Sequence, residues 1–395
     1  MSGTQIIITP TIEPSWKVRS TRRGHAFHPM CSYMAMFPPR LPNYFIQRFS
    51  NRGDLVLDPF SGRGTTATEA CVNGRVGVAN DLNPLAYMLS RAKVNPPTKD
   101  AAIARLHDLE RGFKGAHLSP NEPEEIEFVF HPRTLKQLVY LKAELTDSRE
   151  DTFIKATITG ILHGKYRKNG TDSMYLSVDM PNTFSMSPGY IQRYVRNKGI
   201  KLLDLDVFEK VAQRLERLYR DGLPETEGEA YNRNVRTLHE VIEPQSISLV
   251  VTSPPYLKVI KYGLYNWIRL WFLGIPVNEV DAALDDAHAL PEYLEFMSET
   301  VTLLEQSLKP GGVCALVIGD VAQNGKPPLN LAREVWEAVA PTASLRLIKI
   351  VEDRIADHAK VTKIWKQTRG RATATDRVLV LCKGDQPAVN NPRAV

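Results

Sequence analysis

The chain has 395 residues, of which 43% are hydrophobic and 24% are charged, and this is the composition of an ordinary globular protein. It contains no apolar run of membrane-spanning length, and its N-terminus lacks the pattern of a secretory signal, so we expect a cytoplasmic protein without a membrane partner. Four scattered cysteines without a C-x-x-C pair argue against disulfides and against a structural metal, while the net charge of +6 is compatible with a polyanionic partner.

The first elements in chain order are those of an α/β protein. The segment "DLVLDPF", from Asp54 to Phe60, predicts a buried strand, and the turn "SGRGTT" follows it. A helix is then predicted up to Gly74, and "RVGVANDLNP" predicts a second strand with Asp81 at its tip. Another helix ends before Pro96. The order strand, helix, strand, helix is the opening of a doubly wound α/β sheet.

The pattern changes in the middle of the chain and then returns. Residues 96–230 are more polar and carry apolar side chains at helical spacing. The α/β pattern resumes with "SISLVVTSPPY", and "DRVLVLCKG" near the end predicts an antiparallel edge strand. We therefore expect one α/β domain formed by residues 1–95 and 231–395, with residues 96–230 inserted between its two halves.

Two glycines mark a ligand-binding loop after the first strand. Gly62 and Gly64 lie between a strand and a helix, and Asp81 follows Gly62 by 19 residues, a spacing that fits a dinucleotide fingerprint. A nicotinamide-dependent oxidoreductase is therefore an open alternative. Asp58 argues against it, because a carboxylate at this strand tip repels phosphate and attracts a cationic ligand. S-adenosylmethionine carries a sulfonium, an amino group and a ribose, and it has no phosphate.

The turn Ser253-Pro254-Pro255-Tyr256 directly follows the apolar strand "SISLVVT". Two prolines make the backbone stiff, so the turn holds a hydroxyl, a carbonyl and an aromatic ring in one place. Such a turn either ends a strand or holds a planar, amino-bearing ring.

Together these motifs resemble the S-adenosylmethionine-dependent DNA amino-methyltransferases, which modify N4 of cytosine or N6 of adenine. The resemblance covers roughly residues 22–95 and 231–384. It implies a Rossmann-like doubly wound methyltransferase sheet with an antiparallel edge strand, interrupted by a largely helical target-recognition region at 96–230. It further implies catalytic roles for Ser253, Pro254, Pro255 and Tyr256. The cofactor-binding residues that it implies are His28, Pro29, Phe37, Asp58, Pro59, Phe60, Gly62, Gly64, Thr65, Asp81, Asn83 and Thr252.

The chemistry of the family gives the turn its role. The Ser253 hydroxyl and the Pro254 carbonyl would accept hydrogen bonds from the amino group, which aims the nitrogen lone pair at the methyl donor. Tyr256 would stack on a base extracted from the duplex. In the family, serine at the first position of the turn goes mostly with cytosine N4, and adenine N6 is the alternative. No cysteine follows a proline in this chain, in agreement with a reaction that needs no covalent nucleophile.

The resemblance leaves several points open. Asn234 stands where many members carry an acid, and the order of the motifs mixes two subgroups. The expected partner is double-stranded DNA, with a cognate restriction nuclease as a separate chain, and the oligomeric state is unknown. An RNA amino-methyltransferase and a catalytically silent DNA-binding relative are further alternatives. Three basic segments that interleave aromatic residues, 163–170, 193–201 and 363–371, favour phosphate contact.

Overall fold

The computed structural model describes residues 12, 16, 24–34, 37–114, 121–166, 173–255, 257, 261–284, 289–323, 326–354 and 375–389. Tyr256 and the basic segment 363–371 lie outside the described residues, as does the end of the basic segment 163–170. Within the described part of the chain, no helix is long and apolar enough to cross a bilayer.

A seven-stranded sheet forms the centre of the molecule. The chain forms nine strands in its described part: β1 (Leu55–Asp58), β2 (Val76–Asn80), β3 (Glu229–Tyr231), β4 (Ile247–Thr252), β5 (Leu308–Gly319), β6 (Val321–Gln323), β7 (Lys326–Leu329), β8 (Leu345–Arg354) and β9 (Thr375–Lys383). The order in the sheet is β3-β2-β1-β4-β5-β9-β8, and β6 pairs with β7 in a separate hairpin. Strands β1 to β5 are parallel, whereas β9 is antiparallel to both β5 and β8. The doubly wound fold is thus confirmed, and its antiparallel strand lies one place inside the outermost strand β8.

Helices cover both faces of this sheet. The α-helices before the insertion are α1 (Arg40–Phe49), α2 (Thr65–Val72) and α3 (Pro84–Val94), and those after it are α10 (Tyr262–Tyr265), α11 (Trp267–Leu273), α12 (Val277–Ala283), α13 (Leu290–Ser307) and α14 (Leu331–Val339). All six residues of β4 are buried because successive side chains point to opposite faces and both faces are covered. Leu249 and Val251 share a core with α1, and Val250 shares one with α13 and α14.

The middle of the chain is a helical layer. It contains α4 (Lys99–Lys114), α5 (Glu124–Glu127), α6 (Pro132–Glu144), α7 (Arg149–Ile161), α8 (Pro188–Lys198) and α9 (Val207–Leu218). Short 3-10 helices at His28–Met30, Tyr219–Asp221 and Val235–Glu240 complete the described elements. The apolar side chains of this layer form one continuous core with α3 and α11, so the layer packs onto the sheet domain. That this layer recognises the target stays a prediction.

Candidate active site

Several of the predicted site residues lie where the parallel strands end. Strand β1 lies between β2 and β4 and is parallel to both, so the carboxyl ends of the three strands lie at one edge of the sheet. Asp58 ends β1, Asp81 follows β2, and Thr252 and Ser253 stand at the end of β4. This edge, between strands whose crossovers run in opposite directions, is where doubly wound sheets bind their ligands.

The glycine loop joins β1 to α2 and turns sharply against α3. Gly64 has φ of 78° and forms the N-cap of α2, and this left-handed conformation favours glycine. A Cβ atom at Gly64 would lie 2.8 Å from Ser90 Oγ, so α3 packs directly under the loop. The buried Lys93 of α3 donates from Nζ to the Arg63 carbonyl at 2.6 Å. These contacts with α3 fix the path of the loop.

Asp81 holds the same loop from the side. Its Oδ2 accepts the Gly62 backbone N–H at 2.8 Å, and its Oδ1 accepts the Asn83 N–H at 2.9 Å. Burial raises the pKa of Asp81 to about 6, although the residue keeps part of its surface exposed. Asn83 caps α3 by accepting the Leu85 N–H at 3.0 Å. A carboxylate has about four acceptor positions, so Asp81 can bind these two amides and still accept hydroxyl donors from a ligand.

Asp58 lies deeper than the sequence suggests. It is 1% exposed, and its Oδ1 accepts the Thr252 hydroxyl at 2.6 Å and the Phe60 N–H at 3.3 Å. Burial raises the pKa of Asp58 to about 7. The carboxylate therefore ties the end of β1 to the end of β4. Its contact with a cationic ligand stays a prediction, as do the contacts proposed for Pro59, Phe60 and Thr65.

The raised pKa of Asp58 predicts a pH-dependent stability. Between pH 4 and 7 the folded protein binds this proton and the unfolded chain releases it, so stability falls as pH rises through this window. Asp58 lowers the free energy of unfolding over this pH window by about 4 kcal/mol at most. We expect the free energy of unfolding of Asp58→Asn to change less with pH than that of the wild type. The measurement is the difference between the two free energies, from denaturant unfolding at pH 5 and at pH 8. Asp147→Asn, which changes a carboxylate exposed at 88%, should leave the pH dependence unaltered. An equal change of the free energy of unfolding with pH in wild type and Asp58→Asn would contradict the raised pKa of Asp58.

The turn after β4 presents an oriented hydroxyl. Ser253 is half-buried and donates from Oγ to the Val317 carbonyl of β5 at 3.1 Å. A hydroxyl has one hydrogen and two lone pairs, so this bond leaves the lone pairs as acceptors for another group. Pro254 is buried and Pro255 is half-buried, which fixes the backbone of the turn. The stacking role of Tyr256 stays a prediction because that residue is outside the described part.

The N-terminal segment is attached to α2 and to the core of the sheet domain. His28 is 1% exposed and is hydrogen-bonded through Nε2 to Glu69 Oε1 of α2 at 2.6 Å, while Pro29 is exposed. Phe37 packs half-buried against the core that contains Val251. His28 thus fastens this segment to α2, and the cofactor contacts of His28, Pro29 and Phe37 stay predictions.

Comparison with known proteins shows what the chain is similar to. The family model for DNA methylases of the N6/N4 type matches residues 9–87. The Type II methyltransferase M.MvaI of Kocuria varians is 25% identical over 283 residues, which is 65% of this chain and 58% of that protein. The Type II methyltransferase M.BsoBI of Geobacillus stearothermophilus is 22% identical over 284 residues, which is 65% of this chain and 55% of that protein.

The family model and these two relatives support the N4/N6 DNA amino-methyltransferase family for this chain. It spans little more than half the length of these two curated relatives. Among solved structures, the rRNA methyltransferase aviRa of Streptomyces viridochromogenes is matched over 92% of this chain and 98% of that chain, with 10% identity and a TM-score of 0.35.

The family whose model matches residues 9–87 uses S-adenosylmethionine, and this similarity implies the same cofactor here. The residues present fit that molecule, because the partly exposed Gly62 leaves the loop without a side chain at that position and the partly exposed Asp81 carboxylate can accept ribose hydroxyls. Within the described residues, no group of three or more His, Cys, Asp or Glu side chains is arranged to hold a metal ion.

The structure adds site residues that the sequence analysis missed. Tyr33 stacks on Tyr262 with ring centroids 5.7 Å apart, and Asn83 Nδ2 donates to its hydroxyl at 3.0 Å. Arg63, between the two glycines, is half-buried and has no acidic partner among the described residues. Its position inside the glycine loop was the signal available in the sequence. Asn234, in place of the acid common in the family, caps the 3-10 helix Val235–Glu240 by accepting the Arg236 N–H at 3.0 Å.

Proposed function

We propose that this methyltransferase transfers a methyl group from S-adenosylmethionine to an exocyclic amino group in double-stranded DNA, and that the target is N4 of cytosine. The observation that supports this most is the Ser253 hydroxyl. It stands at the carboxyl end of β4, beside the glycine loop, with its hydrogen committed to Val317 O. The lone pairs that remain are suited to accept an N–H from a flipped base.

The chain's own residues would prepare the amino group for reaction. An aromatic amine is a poor nucleophile because its lone pair is delocalised into the ring. Acceptors at Ser253 Oγ and at the Pro254 carbonyl would take its two N–H groups, which favours a tetrahedral nitrogen and fixes the direction of the lone pair. Tyr256 would stack on the base, a contact worth roughly 1–3 kcal/mol. No side chain forms a covalent bond in this scheme.

Other residues of the site would hold the cofactor. Asp81 would accept the ribose hydroxyls, and Gly62 and Gly64 would let the backbone approach. Arg63, a half-buried cation in the glycine loop without an acidic partner among the described residues, would bind the carboxylate of the methionine moiety. When bound, the cofactor supplies a methyl group on a sulfonium. Asp58 at the end of β1 would supply a carboxylate that attracts this positive charge.

The decisive experiment is methyl transfer from labelled S-adenosylmethionine to unmodified duplex DNA, followed by digestion to nucleosides and mass separation. We expect N4-methylcytosine. If the product is N6-methyladenine, the proposed mechanism stands and the target base is adenine. Label found only in RNA would favour the RNA alternative. S-adenosylhomocysteine should raise the melting temperature and NAD should not, and the reverse result would favour a nicotinamide enzyme.

The relatives named Type II methyltransferases also suggest the setting. We propose that a restriction nuclease with the same recognition sequence exists as a separate chain. DNA modified by this methyltransferase should then resist cleavage by that nuclease, and unmodified DNA of the same sequence should be cut.

A further inference from the structure

Helix α8 exposes a basic and aromatic surface that the reaction scheme does not use. Arg193, Arg196 and Lys198 of α8 are exposed, as is Lys201 just after it. Between Asp179 and Asp204 the chain contains no acidic residue. Among the described residues, the ion pair found for these four cations joins Arg196 to Glu124 at 3.9 Å, and both side chains are more than 70% exposed. The local charge is therefore strongly positive and accessible.

Among the described residues, α8 is anchored to the core through one apolar side. Ile191 is buried and Val195, four residues later, is partly buried against the core of the helical layer. Residues four apart lie on the same side of a helix, so this side faces inward. Tyr190 and Tyr194 stack with ring centroids 6.2 Å apart, and Tyr190 is 48% exposed. Most of the helix surface is thus free to meet a partner.

A chain of contacts connects α8 to the catalytic turn. The segment just before it packs on the residues that follow the turn: the Ser185 N–H donates to the Tyr265 carbonyl at 2.6 Å, and Trp267 Nε1 donates to the Met186 carbonyl at 2.8 Å. The fully buried Arg269 of α11 donates to the Asn182 carbonyl at 2.8 Å. The start of α8 is therefore fixed to the part of the chain that follows Ser253.

We infer that α8 lies against the phosphate backbone of double-stranded DNA, where Arg193 and Arg196 neutralise phosphates beside the flipped base. This inference rests on the proposed function for the identity of the partner. The occupant is favoured by charge complementarity, because a duplex carries closely spaced phosphates and α8 presents exposed cations, of which Arg196 has only a long, exposed ion pair among the described residues. The tyrosine pair adds a rigid aromatic surface beside the cations, a combination common where proteins bind nucleic acid.

The test is binding of a fluorescent, mixed-sequence DNA duplex by the full chain with S-adenosylhomocysteine present, across a range of salt concentrations. We expect Arg193→Gln/Arg196→Gln to weaken binding by about tenfold and to reduce the salt slope by about 2. Because phosphate contacts carry no sequence information, the loss should be equal for duplexes of different sequence. Both side chains are exposed, so melting temperature and S-adenosylhomocysteine affinity should match those of the wild type.

The matched control is Arg111→Gln/Lys114→Gln, which removes two exposed charges from α4, where each has an acidic partner. Wild-type affinity and slope in the α8 variant would overturn the inference, as would equal losses in the control, or wild-type protein that binds duplex RNA better than DNA. Methyl transfer by the wild type is measured in parallel. Duplex binding that depends on α8 without any transfer would support this inference and refute the proposed function. Methyl transfer to DNA by the wild type, with unchanged DNA binding by the α8 variant, would support the proposed function and refute this inference.

Discussion

Replacement of Ser253 by alanine is expected to lower kcat for methyl transfer by about 10²- to 10³-fold, the usual effect of removing one oriented hydrogen-bonding group from an active site. The hydroxyl donates to Val317 O at 3.1 Å, so its lone pairs are held in a fixed direction at the end of β4. Alanine removes that acceptor and leaves the strand and the glycine loop in place. Affinity for S-adenosylhomocysteine, measured by calorimetry, should therefore stay within about twofold of wild type.

A matched control exists in the residue that precedes the same strand. Ser246 also donates to a backbone carbonyl, that of Glu243 at 2.6 Å, and it lies at the opposite end of β4. Ser246→Ala makes the same chemical change away from the site, and it should leave kcat unaltered. A Ser253→Ala enzyme with wild-type kcat on duplex DNA would contradict the role assigned to this hydroxyl. Ser246→Ala accounts for the loss of a hydrogen bond to a backbone carbonyl, which both variants share.

The elements that the sequence predicted are those with a strong local signal. Strands β1, β2 and β4 are apolar runs bounded by turn residues, and burial on both faces makes such runs continuous. Gly64 was interpreted as part of a ligand-binding loop between a strand and a helix, and its φ of 78° is a conformation that favours glycine. Once the strands are parallel neighbours, their ends must meet, so Asp58 and Asp81 come together without further information.

The features that the sequence did not predict depend on contacts between distant residues. Asp81 was expected to bind ribose, yet it also holds the Gly62 amide, which is visible only when β2 lies beside the loop. The tie of His28 to Glu69 joins residues 41 positions apart, and the packing of Tyr33 on Tyr262 joins the two halves of the domain. No periodicity in the chain encodes these pairs, because each requires the whole sheet to be assembled first.

Substitution of Gly77 by alanine is expected to be the most damaging single-methyl change in the sheet. Strand β2 passes so close to α2 that a Cβ atom at Gly77 would lie 2.1 Å from the Ala67 carbonyl oxygen. Backbone cannot rotate away as a side chain can, so α2 must move. Overpacking of this kind costs typically about 1–3 kcal/mol and can cost more. Because α2 begins directly after Gly64, its movement should also displace the glycine loop and weaken S-adenosylhomocysteine binding by about tenfold.

Gly189→Ala separates this steric effect from the general effect of adding a methyl group. In α8, a Cβ atom at Gly189 would meet nothing closer than Arg193 Nη1 at 3.7 Å. Alanine is favoured over glycine in a helix, so this variant should be more stable by up to about 1 kcal/mol. The two effects are measured by denaturant unfolding of both variants and by titration with S-adenosylhomocysteine at the same temperature. A Gly77→Ala protein as stable as Gly189→Ala would mean that α2 can shift at no cost. The loop would then keep its position through side chains such as Asp81 and Lys93, which hold it independently of the contact between β2 and α2.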